Sequence, residues 1–103
     1  MRDLPYGLAQ VTGNSMNAHE PVSIDDKDYI LFQRTTNSQN GDIVVASRPI
    51  QSSGEDAYMV KKYNKIDQLL VSETNDTLSP YPDVKLNKDH QILGIVIAVA
   101  KPV

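Results

Sequence analysis

Apolar residues along this chain fall in short alternating or continuous runs separated by polar clusters, and no stretch sustains the spacing of a long amphipathic helix. Leu8-Ala9-Gln10-Val11-Thr12 predicts a first strand, ended by Gly13-Asn14. Ser15 to His19 predicts one helical turn, with Ser15 near its N-terminus, where free backbone N–H groups gather. Asp25-Asp26-Lys27-Asp28 is a turn cluster, followed by a strand at Tyr29-Ile30-Leu31-Phe32. The polar segment Arg34 to Gly41 lacks periodicity and closes on Asn40-Gly41, a turn signal. Asp42-Ile43-Val44-Val45-Ala46-Ser47 is a continuous β-branched run, the pattern of a strand buried on both faces.

Pro49 to Asp56, made of Gln, Ser, Gly and acids, reads as a mobile loop. Ala57 to Tyr63 and Ile66 to Ser72 predict two strands joined as a hairpin through Asn64-Lys65. Glu73 to Pro82 reads as loop, and Val84-Lys85-Leu86 as a short strand. Ile92 to Ala100 is the most apolar stretch, and Gly94 inside it points to a bulge or a close backbone approach. Seven short β segments without a long helix predict a mostly β domain of packed, curled sheets.

Composition narrows the setting. The 103 residues suit one domain with a modest core. A hydrophobic content of 40% and a charged content of 22% are ordinary for a globular chain. With no cysteine, a disulfide framework and a thiolate metal site are excluded. Met1-Arg2-Asp3-Leu4-Pro5 lacks the apolar run of a signal peptide, and no stretch approaches the roughly 20 apolar residues of a membrane span. A cytoplasmic location without membrane contact is therefore expected. The net charge of −3 argues against a nucleic-acid surface. No metal or cofactor is expected.

The candidate chemistry lies in two stretches. Gly13-Asn14-Ser15-Met16 places a serine after a turn, and Met59-Val60-Lys61-Lys62-Tyr63 places a lysine inside a strand. A serine is a weak nucleophile until a neighbouring base takes its proton. An ordinary lysine is protonated at neutral pH, but burial disfavours the charged form. Side chains two apart on a strand share a face, so Lys61 is expected between Met59 and Tyr63. Taken alone, Ser15 reads as a turn residue or helix cap, and Lys61 as a solvated strand lysine.

Gly13-Asn14-Ser15-Met16, Asn40-Gly41-Asp42-Ile43-Val44-Val45-Ala46, Val60-Lys61-Lys62 and Leu93-Gly94-Ile95-Val96 occur in an order that resembles the peptidase domain of the LexA and UmuD family. Self-cleaving phage repressors share that domain, and signal peptidase shares its Ser–Lys core. The resemblance covers the chain from about Leu8 to Lys101 and implies curled antiparallel sheets, with residues 1–103 forming a single domain. It implies Ser15 as nucleophile and Lys61 as base, with the backbone N–H groups of Asn14 and Ser15 around the oxyanion. Lys62 is the competitor for the base, on the opposite strand face. A homodimer, a RecA filament as partner, and the chain's own or a partner polypeptide as substrate are further implications. A DNA-binding region and a cleavage-site segment are expected outside this chain.

Two departures from the family pattern stand out. Ser15 and Lys61 are further apart than is typical, with the Pro49–Asp56 loop the natural place for the extra residues; lengthening a surface loop costs roughly 0.6 kcal/mol per doubling. Lys27 stands where the family often has glycine, so a positive φ there would be strained by about 1–2 kcal/mol. Rival site types fit poorly. Gly13-Asn14-Ser15-Met16-Asn17 lacks the second glycine of a hydrolase nucleophile elbow, and His19-Glu20 lacks the second histidine of a zinc-protease motif. His19 and His90 read as surface-loop residues, and Asn75-Asp76-Thr77 as an incidental glycosylation match. A dimerisation module without cleavage is the alternative function, and a signal-peptidase fragment a weaker one. Self-cleavage of the chain as given is not expected. It contains no Ala-Gly or Cys-Gly pair, and Met1–Gly7 reaches at most about 25 Å when extended.

Overall fold

A computed structural model describes residues 5–20, 23–50, 52–74 and 82–102. Residues 75–81 of the expected 73–82 loop, the Asn75-Asp76-Thr77 match and the first four residues lie outside the described set. Among the described residues, seven strands form one open antiparallel sheet: β1 (Tyr6–Gln10), β2 (Tyr29–Arg34), β3 (Ile43–Pro49), β4 (Asp56–Asn64), β5 (Leu69–Val71), β6 (Val84–Lys85) and β7 (Gln91–Ala100). Their order across the sheet is β1-β2-β7-β3-β4-β5-β6. The all-β class and antiparallel pairing agree with expectation.

Two apolar clusters hold the sheet together. Met16, Ile24, Ile30, Phe32 and Val45 form one; Val44, Ala46, Tyr63 and Leu70 form the other. Alternation along β3 sends Val45 to the first and Val44 and Ala46 to the second. This double burial is why residues 43–46 read as an unbroken apolar run.

The β1 and β2 boundaries differ from the sequence pattern. β1 starts two residues earlier than predicted because β2 continues to Arg34, and Gly7 pairs with Phe32. A Cβ on Gly7 would lie 2.3 Å from the Phe32 ring, so the aromatic occupies the space that a side chain would need. Pairing with β2 stops at Gln10 because Lys27 turns left-handed, with φ 71. The Lys27 N–H donates to the Val11 carbonyl at 2.7 Å, and Gln10 Nε2 donates to the Lys27 carbonyl at 3.1 Å. Those bonds hold a conformation that costs a non-glycine residue about 1–2 kcal/mol. Buried Asp28 completes the turn: its Oδ2 accepts the Asp25 N–H at 2.8 Å and also bonds Lys101 Nζ. That bond to Asp28, helped by Asp25, raises the Lys101 pKa above the ordinary lysine range.

The predicted Asn64-Lys65 hairpin turn is instead a four-residue turn over Lys65–Gln68, with Asn64 paired to Leu69. Ile66, expected to open β5, sits in this turn at 81% exposure. The Pro49–Asp56 loop is the tip of the β3–β4 hairpin, where Pro49 pairs with Asp56 and the Ile50 N–H donates to the Glu55 carbonyl.

β7 shows both features anticipated around Gly94. Its register against β3 slips between Val45 and Ala46, leaving Leu93 unpaired in a bulge. A Cβ on Gly94 would lie 2.2 Å from the Gln33 carbonyl oxygen, a backbone atom that cannot swing aside. Gly94→Ala is therefore expected to destabilise the domain by about 1–3 kcal/mol, the usual cost of overpacking. Urea unfolding of the two proteins checks this, and an unchanged midpoint would mean that the β2–β7 approach is looser than described.

Candidate active site

The chain leaves β1 through Gly13, whose φ of 89 suits glycine and few other residues. Reciprocal bonds pin this turn. The Gly13 N–H donates to Asp26 Oδ1 at 2.7 Å, and the Asp26 N–H donates to Asn14 Oδ1 at 3.1 Å. Two successive tight turns follow in place of the expected helical turn: Asn17 N–H to Asn14 carbonyl at 3.3 Å, and His19 N–H to Met16 carbonyl at 3.1 Å. Met16 then drops into the first core cluster at 1% exposure and bridges to Ile24. Half-buried Ser15 is thus held between a pinned Asn14 and a buried Met16. Among the described residues, neither its hydroxyl nor its N–H has a hydrogen-bond partner.

Lys61 lies in the middle of β4, opposite Val44, which is fully buried. Only 8% of Lys61 is exposed, whereas the Lys62 side chain is 45% exposed and stands 4.0 Å from the Glu73 carboxylate. Met59 and Tyr63 both pack with the second cluster, as the alternation along β4 requires. Lys61 Nζ donates to Ser72 Oγ at 2.8 Å. Burial lowers the Lys61 pKa below the ordinary lysine value, and the Asp83 charge opposes part of that shift.

Ser15 and Lys61 line one cleft of about 420 Å³. Met16, Ile30, Val45 and Val60 supply its apolar lining, and Ala9–Thr12 and Tyr58–Met59 its rims. Those rims are strand edges. Among the described residues, β1 pairs only with β2, and Asp56–Lys61 of β4 pair only with β3. The sheet curls until these two edges share a cleft, with the serine and the lysine between them.

A larger hollow of about 560 Å³ lies between the tip of the β3–β4 hairpin and residues 87–90, and neither Ser15 nor Lys61 lines it. His90 borders that hollow, while His19 borders a third beside β7, so neither histidine shares the cleft with Ser15. Both lie outside the strands, as expected of loop residues, and are half-buried and engaged: His19 Nδ1 lies 2.7 Å from Glu73 Oε1, and His90 Nδ1 lies 3.0 Å from Asn87 Oδ1.

Residues 72–74 escaped the sequence pattern. Ser72 holds Lys61, the Glu73 carbonyl accepts the Ala18 N–H at 2.8 Å, and Thr74 Oγ1 donates to Asn17 Oδ1 at 3.0 Å. Only the correct β4–β5 register would have revealed them. With Lys62 paired to Val71, the next residue of the strap comes beside Lys61.

Over residues 2–97 the chain matches the family model described as Peptidase S24-like. It is 32% identical over 108 residues to the LexA repressor of Lacticaseibacillus casei (strain BL23), covering 97% of this chain and 45% of that protein. The LexA repressor of Lacticaseibacillus paracasei (strain ATCC 334) matches with the same identity and coverage. The chain therefore spans about half the length of these curated relatives. Fold and family match together place it: the chain is a LexA/UmuD-like peptidase domain and belongs to the Peptidase S24-like family.

Proposed function

We propose that this domain is a serine endopeptidase in which Ser15 and Lys61 act as a nucleophile–base dyad. The observation that carries this proposal is the shared cleft, where a half-buried serine and a buried lysine lie between the edges of β1 and β4. In the reaction, Ser15 Oγ attacks a peptide carbonyl while neutral Lys61 takes its proton. The resulting ammonium then gives that proton to the leaving amine. Backbone N–H groups at Asn14 and Ser15 are the proposed oxyanion donors; removing one such donor costs roughly 2.7–4 kcal/mol in enzymes where this has been done. An extended peptide suits the cleft because its main chain can bond to an open strand edge. Its source is the chain's own or a partner polypeptide, in the manner of a LexA-type repressor or a UmuD-type polymerase accessory responding to a RecA filament in the SOS response.

The pH dependence follows from the base. Only the amine form of Lys61 accepts a proton, so activity is absent well below its pKa and rises through it. Because burial lowers that pKa, the rise should level off below the ordinary lysine value of about 10.4. A fluorophosphonate probe followed by intact mass is expected to label Ser15 with this pH profile. Lys61→Ala should slow labelling by at least about 100-fold, the scale of a lost general base. Labelling that is flat with pH in folded protein, or that survives in Lys61→Ala, contradicts the dyad.

Assembly is a second proposed role, favoured by the far end of β7. Gln91, Ile92, Gly94 and Ile95 pair with β3, but among the described residues Val96 and Ala98–Ala100 pair only with β2, and Ile97 is bulged out of that ladder. Ile97 on this open edge is 50% exposed. An apolar free edge invites pairing with another strand, and a second copy of this chain is the proposed occupant. Sedimentation should show a dimer at tens of micromolar and a monomer for Ile97→Asp, with little loss of stability because the residue is half exposed. A monomeric wild-type chain contradicts this role and leaves the dyad unaffected.

A further inference from the structure

A lysine that serves as a base must present its lone pair to the serine as well as lose its charge. A neutral amine has one lone pair and two N–H groups, and the side chain rotates among staggered wells. Something must select the well.

We propose that Ser72 is the positioning residue for Lys61: its hydroxyl accepts one lysine N–H at 2.8 Å and sets the orientation of the amine relative to Ser15. This rests on the Ser–Lys reading and adds a residue from a separate segment to it. Ser72 does not act alone. It begins a strap whose next residues bind the nucleophile loop: Glu73 through Ala18 and His19, and Thr74 through Asn17. Three consecutive residues thus grip the base on one side and the three residues Asn17–His19 on the other. The separation of Ser15 from Lys61 is set through this strap as well as through the sheet.

Ser72 also acts on the charge of Lys61. A hydroxyl oxygen accepting from an ammonium stabilises the charged form, so it opposes the effect of burial. Other charged or titratable groups on neighbouring elements are Asp83 before β6, Lys62 and Tyr63 on β4, Glu73 on the strap and His19 on the nucleophile loop. Removing the Ser72 hydroxyl leaves all of these in place. Two effects should follow: a lower Lys61 titration midpoint and a slower reaction even where Lys61 is fully neutral.

The test measures both in the wild type, Ser72→Ala and Ser72→Thr. Lys61 is titrated through its 13Cε resonance in labelled protein, and Ser15 labelling by the fluorophosphonate is followed to its high-pH plateau. In Ser72→Ala the Lys61 midpoint is expected to move further down, and the plateau rate to fall about 10- to 100-fold, the scale of a misplaced catalytic group. Ser72→Thr keeps the hydroxyl and should restore both. A purely structural Ser72 would lower the melting temperature of Ser72→Ala without moving the midpoint or the plateau, and that result overturns the assignment. If wild-type labelling depends on Lys61 and Ser72→Ala matches it, only the Ser72 assignment falls. If labelling does not depend on Lys61, the dyad fails and takes the assignment with it.

Discussion

The candidate site depends on the burial of one lysine, which lowers its pKa below the ordinary lysine value. An ammonium in a poorly solvated site favours its neutral form, and β4 places Lys61 in such a site. Val44 lies opposite it, and Met59 and Tyr63 pack with the second cluster on either side along the strand. Lys62, one residue on, points to the other face and keeps much of its solvent. A one-residue slip of β4 would exchange the two, because side chains alternate faces along a strand. The β3–β4 register therefore decides which of the two lysines is buried.

The same sheet delivers the serine. Its order brings β1 to one edge, and its curl carries that edge around to the exposed flank of β4. The turn at Gly13 and the burial of Met16 leave Ser15 at the junction, and the Asp25–Asp28 turn fixes the loop from behind. Strain at Lys27 belongs to this arrangement. Its left-handed conformation ends the β1–β2 ladder and lets Asp26 reach both Gly13 and Asn14.

Much of this was legible along the chain wherever burial writes a simple pattern. Residues 43–46 are apolar on successive positions because both faces of β3 are covered, and Gly94 marked a place where two backbones nearly touch. Strand ends were less legible, because each depends on its partner: β1 is displaced by the length of β2 and by the Lys27 turn. Ser15 and Lys61 stood out through resemblance to a known domain; as isolated residues they carried no signal. Ser72 was invisible for a definite reason. A two-residue Asn64-Lys65 turn would have brought Gln68 across from Lys61. The actual four-residue turn moves the pairing four places and brings Ser72 there instead.

The proposed dyad requires Lys61 to act electrostatically on the side chain at position 15. Because the chain contains no cysteine, Ser15→Cys introduces a single thiol whose ionisation can be followed by thiolate absorbance near 240 nm. An ordinary thiol ionises near pH 8.5, and a nearby lysine ammonium lowers that value. A lowered midpoint is expected in Ser15→Cys, returning toward the ordinary value in the double variant Ser15→Cys/Lys61→Met, with both proteins folded. Superimposable titrations of the two variants would show that Lys61 does not act on this position, and would overturn the dyad.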